Sequence, residues 1–431
     1  MKIALKEKKT RNPKRKWVVF LAVLMAVAAL AVAGYFIARA VAQSLIQSEI
    51  QTRSDWNIDT GDVADREAAQ QVTVYTAPVE ASIDVIQIVP DEYEEEGFTY
   101  YDEDVQDRLA YTLLDLTRKE SYTLESPLAV LNPFGTGSNG LYMYFRTDAP
   151  TRVTYTVHVE DESIPDYTAT VNNQGADADG YSRLQEFLLI GLVPGMENTV
   201  TLSAETRQQG TAYTFTIDMP ESASGYASQL EVEDGGADVG QLSDGLFYAM
   251  GFGDYYGYTF FFDNEGVLRY EMVLEGYHSD RFLWDDDGSL ITCVGSRKVA
   301  RINRFGQVAQ VYGLGQYELH HDINWGPDGT ILALATDTEG ETVEDQVLKI
   351  DLTTGEVSHV VDFTQVLQSY FEETRPVQAT DPFGLWSEGE WDWLHLNSLQ
   401  YVEEDNAIIV SSRETSTIIK ATLEEEPQIQ W

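Results

Sequence analysis

One cysteine in 431 residues, Cys293, has no partner within the chain, which excludes an internal disulfide framework and any cysteine-based zinc cluster. It reads as a small buried side chain. Basic residues are also scarce: 28 Lys and Arg stand against 71 Asp and Glu, a formal net charge of −43. So acidic a chain repels phosphate backbones, and nucleic acid is excluded as a partner. There is no glycine-rich phosphate loop and no Gly-x-Ser-x-Gly elbow, so nucleotide-loop and serine-hydrolase chemistries have no support. The six histidines include no His-x-x-x-His pair, and neither a metal nor a cofactor is expected. With 43% hydrophobic and 23% charged residues, the chain is still ordinary globular material, with room for two or three domains.

The few cations are unevenly placed. Lys2, Lys6, Lys8, Lys9, Arg11, Lys14, Arg15 and Lys16 crowd the start against Glu7 alone, and residues 17–38 then carry no charge. At about 1.5 Å per residue such a helix crosses a hydrocarbon core of roughly 30 Å. We expect a cytoplasmic basic segment at 1–16 and a transmembrane helix at 17–42, with everything after it outside the cytoplasm. Ala40-Val41-Ala42 has the form of a signal-peptide cleavage site, but the apolar run exceeds the usual h-region of about 7–15 residues, which favours a retained single-pass anchor.

Residues 43–124 read as an acidic stalk with one short amphipathic helix near 104–119, carried by Val105, Leu109, Leu113, Leu114 and Leu116. From 125 to 220 the apolar period changes to two, in short runs separated by Pro- and Gly-containing turns, which predicts a small antiparallel β-sandwich. Residues 221–431 repeat. Strand, acidic turn and strand recur at 282–292, 323–333 and 399–409, each followed by a second hairpin, and the first two turns lie about 41 residues apart. A fourth hairpin at 259–268 precedes them. Four strands at that period make a propeller blade, so this part reads as an incomplete β-propeller of about four blades in an all-β ectodomain.

His278, the pair His320-His321, and His395 each fall about 8–11 residues before the acidic turn of their blade, where its innermost strand begins. Equivalent positions in successive blades converge on the propeller axis, and convergent imidazoles suit acid–base, nucleophilic or metal chemistry. Because adjacent strand residues point to opposite faces, only one of His320 and His321 is expected inside, and a metal is not favoured. His158 and His359 read as structural.

Around these residues the chain resembles a known family. Leu-His-His-Asp-Ile-Asn-Trp-Gly-Pro-Asp-Gly-Thr-Ile-Leu at 319–332 is similar to the His-His-Asp stretch of bacterial aryl-sulfate sulfotransferases that need no adenosine phosphosulfate donor. Asp-Trp-Leu-His-Leu-Asn-Ser at 392–398, Ser-Ser-Arg at 411–413 and Ile-Ile-Lys at 418–420 match it more specifically, and 126–135 with 189–195 resemble its N-terminal domain. The resemblance implies transfer of a sulfuryl group from a phenolic sulfate ester to a phenol, by a ping-pong route through a sulfated histidine, on a six-bladed propeller. It implies that His395 and Arg413 hold the sulfate oxygens, that His321 or else His320 is a further active-site histidine, and that Asn397 lies beside them. A homodimer through the sandwich domain would also fit the family. The family's sulfated histidine lies downstream of the Ser-Ser-Arg strand, whereas no histidine follows Arg413 here, so the expectation is a member truncated at the C-terminus and lacking its nucleophile. The rival reading is a non-catalytic surface module that binds a glycan or a protein. A sulfatase that hydrolyses the ester is a third.

Overall fold

The computed structural model describes residues 71–231, 245–252, 257–274, 281–381 and 388–431. The basic segment at 1–16, the anchor expected at 17–42 and His278 lie outside these residues. Among the described residues no helix is long and apolar enough to cross a membrane.

Period-two patterning builds the first half. In β7 (Glu197–Glu205) every second residue from Asn198 to Ala204 is buried, and β8 (Gly210–Asp218) pairs with it antiparallel, Val200 opposite Phe215. These two strands continue a sheet of eight whose other members are β1 (Val72–Thr76), β2 (Val85–Pro90), β3 (Leu128–Leu131), β4 (Leu141–His158), β5 (Tyr167–Thr170) and β6 (Ser182–Leu189). The long strand β4 pairs with β3 and β6 over its first part and with β5 and β7 over its second, with a register shift between Arg146 and Thr151. That shared strand makes one curled sheet out of the two separate faces expected of a sandwich. Its concave core holds Leu141, Phe145, Val153, Tyr155, Leu202 and Phe215.

The stretch read as stalk contributes to this sheet. β1 and β2 pair with each other, and β2 runs parallel to β3 with Val85 and Ile88 buried. The acidic run just after β2 masks the apolar pattern of these two short strands. The expected helix forms as α1 (Glu103–Lys119). Asp102 caps it by accepting from the Asp104 and Val105 N–H groups, Glu103 and Asp104 occupy the first turn, and Arg118 and Lys119 the last. Its buried Gln106 donates to the Tyr100 and Phe134 carbonyls and accepts from Val308 N, while Glu103 accepts from Val311 N at 2.6 Å. The helix thereby satisfies an outer strand edge that would otherwise be open to pairing.

Among the described residues four small antiparallel sheets follow, of three, four, four and three strands, in a propeller-like arrangement. They are β9 to β11 (Phe247–Phe252, Gly257–Phe262, Leu268–Leu274); β12 to β15 (Leu283–Trp284, Leu290–Gly295, Lys298–Ile302, Val308–Gly313); β16 to β19 (Tyr317–Trp325, Ile331–Asp337, Gln346–Ile350, Val357–Asp362); and β20 to β22 (Leu396–Val402, Ala407–Ser412, Thr417–Thr422). In β17 all of residues 331–335 are buried. Ile331 and Ala333 pack toward Ile291 and Cys293 of the preceding sheet, and Leu332 and Leu334 toward Leu399 and Val410 of the following one. A strand covered on both faces gives a continuous apolar run. Two polar side chains fix the last two sheets together at one residue: Asp322 Oδ2 accepts from Leu399 N at 2.7 Å, and Asn324 Nδ2 donates to Leu399 O at 2.8 Å. That clamp places the start of β20 beside the start of β16.

Candidate active site

Both strands are irregular where they begin. In β16 the pairing with β17 runs from Leu319–Ala335 straight to Ile323–Ala333, so residues 320–322 bulge opposite Leu334 alone. His321 lies in that bulge with φ +51°, and His395, immediately before β20, has φ +49°. Left-handed backbone at a bulky residue costs energy, and such outliers gather at functional sites. The bulge corrects the expectation from strand alternation. His320 and His321 do not point to opposite faces: their ring centroids are 5.5 Å apart, and ring nitrogens of both lie within 4.8 Å of the Glu344 carboxylate.

His321 and His395 meet through their Nε2 atoms at 3.1 Å. The Arg413 guanidinium closes the group: Nη1 donates to His395 Nε2 at 2.9 Å, Nη2 to Asp392 Oδ2 at 2.9 Å, and Nε to Glu414 at 2.7 Å. On its other side His395 Nδ1 donates to Asp392 Oδ2 at 2.8 Å. Glu344 Oε2 stands 2.5 Å from the same nitrogen, a second carboxylate against Nδ1 beside Asp392. The main chain holds these pieces in place. Arg413 N donates to the His395 carbonyl, and the buried Ser412 hydroxyl donates to Leu394 O at 2.6 Å. Each part of Ser-Ser-Arg therefore has a separate task, since Ser411 only pairs with Ser398 at the surface.

Of the residues singled out in the sequence, the structure brings together His320, His321, His395 and Arg413. Asn397 sits at the irregularity of β20 between Leu396 and Ser398, exposed and making no hydrogen bond to the cluster. His158 pairs with Asp166 at the surface, and His359 donates to the Val361 carbonyl. Two carboxylates were missed. Asp392 was legible as the acid three residues before His395 in the quoted motif; Glu344 comes from the β17–β18 turn and carries no sequence signal. His320, His321 and Glu344, and likewise Glu344, Asp392 and His395, are close enough for a metal ion. With a guanidinium against two of these atoms, we read both trios as one network of charges and assign no metal.

Comparison with known families identifies the family of the chain. The arylsulfotransferase (ASST) family matches residues 231–431, and the arylsulfotransferase Ig-like domain matches 128–220. This chain belongs to the arylsulfotransferase family. No curated protein matches it. Among solved structures, a Bacteroides uniformis protein described as a 6-phosphogluconolactonase is 8% identical, with 65% of this chain and 95% of that one covered and a TM-score of 0.23. An auxiliary nutrient binding protein of Bacteroides thetaiotaomicron is 12% identical, over 68% and 67%, at 0.24. Dipeptidyl peptidase 4 of Porphyromonas gingivalis is 11% identical, over 65% and 35%, at 0.22. Similarities this weak carry nothing about the chemistry of an arylsulfotransferase.

Electrostatics separate the two best-buried histidines of the cluster. Burial pulls the pKa of His320 down to about 4 although Glu344 opposes it. Burial also pulls on His395, but Asp392 and Glu344 at its Nδ1 outweigh that and push it up to about 9. From the ordinary value of 6.5 the signs follow. A lowered histidine pKa means that the unfolded chain binds the extra proton first, so the contribution of His320 is present above 6.5 and lost as the pH falls through 4. A raised one gives stability that is complete below 6.5 and lost as the pH rises through 9. The melting temperature of the wild type is therefore expected to fall between pH 6.5 and 9.5 more steeply than that of H395Q. Parallel curves for the two proteins would contradict the assignment.

Proposed function

We propose that the cluster of His321, His395 and Arg413 binds the sulfuryl group of a phenolic sulfate ester and assists its transfer to a phenol. One observation carries the reading: a guanidinium nitrogen and an imidazole Nε2 both stand about 3 Å from His395 Nε2, at the start of the innermost strands. Once protonated, His395 presents a second cationic N–H beside Arg413, and two such donors side by side are a receptor for an oxyanion. A loose sulfuryl-transfer transition state resembles that of phosphoryl transfer, with negative charge on the equatorial oxygens, and pre-placed donors stabilise it most. Arg413 holds two oxygens with its planar fork. In the resting cluster Nε2 of His395 accepts from Arg413; once the sulfate engages the guanidinium and Nε2 takes up a proton, His395 passes that proton to the departing phenolate.

The double-displacement route through a sulfohistidine belongs to this proposal, and none of the clustered residues is assigned as its nucleophile. The basic start and the charge-free run at 17–38 support a membrane anchor with the site outside the cytoplasm. The test is incubation of the full chain with a nitrophenyl sulfate and a phenol, without any nucleotide donor. Nitrophenol release that requires the phenol and is lost in H395A supports the transferase. Release without the phenol indicates a sulfatase, and saturable ester binding without release indicates a binding module; either overturns the proposal.

A further inference from the structure

The transfer reading leaves one carboxylate of the cluster without a task. Glu344 Oε2 is buried and lies 2.5 Å from His395 Nδ1 and 3.9 Å from His321 Nε2. The fold spends free energy to put it there. Glu344 has φ +57°, an uncommon conformation for a side chain of its size that costs about 1–3 kcal/mol. His321, Glu344 and His395 all hold positive φ, and all three meet at one point. The turn is secured to match: Glu344 N donates to Thr336 Oγ1 at 2.8 Å, its carbonyl accepts from Leu396 N at 3.1 Å, and the neighbouring Asp345 accepts from Trp393 Nε1 at 2.7 Å. The segment bearing Glu344 is thus tied to the residues on both sides of His395.

We propose that Glu344 is a positioning residue, the shared counter-charge that holds the rings of His321 and His395 together with their Nε2 atoms turned toward Arg413 and the incoming sulfate. Its effect on rate rests on the sulfuryl-transfer reading; its hold on the histidines does not. The groups that face His395 are Asp392 from its own loop, Glu344 from the β17–β18 turn, His320 and His321 from β16, and Arg413 with Glu414 from the turn after β21. Glu390 lies within electrostatic reach of Asp392 and Glu344. With Glu344 neutral, Asp392 is the carboxylate left against Nδ1 among the described residues.

The experiment uses the full chain labelled with 13C at the histidine rings, whose six signals are assigned by single substitutions. In E344Q the His395 titration midpoint is expected to fall by about one pH unit or more, since one unit reflects an ordinary charge contact. The His321 signal moves with it. E344G, which takes the positive φ without strain, shows the same two changes. With a nitrophenyl sulfate and a phenol, E344Q loses about tenfold in kcat with KM for the ester little changed, the pattern of a lost transition-state contact. An unmoved His395 midpoint in both variants would overturn the proposal and make Glu344 a fold residue. A wild-type chain that releases no nitrophenol would count against the transfer reading alone, because the ring titrations still decide the role of Glu344.

Discussion

Replacing Arg413 by lysine is expected to cut nitrophenol release by about 10²–10³-fold, the usual cost of removing a pre-placed donor to a developing oxyanion. The charge survives this substitution; the geometry does not. Arg413 reaches three partners in three directions at once, Glu414 with Nε, Asp392 with Nη2 and His395 with Nη1, while its backbone N–H is held by the His395 carbonyl. A lysine ammonium on a flexible stem cannot reproduce that fork. The ester must still bind, because a cation and the His395 ring remain, so most of the loss falls on kcat. The measurement is kcat and KM for the ester at saturating phenol, with the melting temperature as a control for folding. Retention of more than about a tenth of the wild-type kcat would remove Arg413 from the sulfate site.

The sequence exposed the parts of this arrangement that depend on period and motif. Acidic turns at a regular interval located the blades, and three histidine sites at one place in the repeat, with Ser-Ser-Arg behind the last, brought His321, His395 and Arg413 to notice. What it concealed comes from departures from regularity. Strand alternation separated His320 from His321, and only the bulge at 320–322 explains why both turn inward. Glu344 is an acid among 71 acids in the sequence, and its importance lies in a positive φ and a contact that spans about fifty residues of chain. That the two faces of the sandwich share one strand was hidden for a related reason. Periodicity marks each strand but not that β4 is long enough to serve two sets of partners, and the acidic run after β2 hid the strands that begin the sheet.

The largest effect on stability is expected at Arg269, which none of these patterns marks. Its side chain is 1% exposed, and it lies in β11, where the curled sheet meets the blades. Nε donates to Asp263 Oδ2 at 2.6 Å, Nη2 to the Pro165 carbonyl at 2.7 Å and Nη1 to the Gly191 carbonyl at 3.4 Å, and the guanidinium lies 5.3 Å from the centre of the Tyr167 ring. Its own carbonyl accepts from Gly191 N at 2.7 Å. A methionine fills similar volume but leaves Asp263 and two carbonyls without their donor, and breaking a buried pair on one side costs about 3–5 kcal/mol. R269M should therefore show a distinctly lower denaturation midpoint in urea. R207M is the matched control, because Arg207 pairs with Asp177 and Asp179 in the open, where water and salt already screen the charges. Equal midpoints for the two variants would mean that the contact between sheet and blades does not depend on the buried charge. A lower midpoint in R269M alone would place a large share of the stability where sheet and blades meet at one buried arginine.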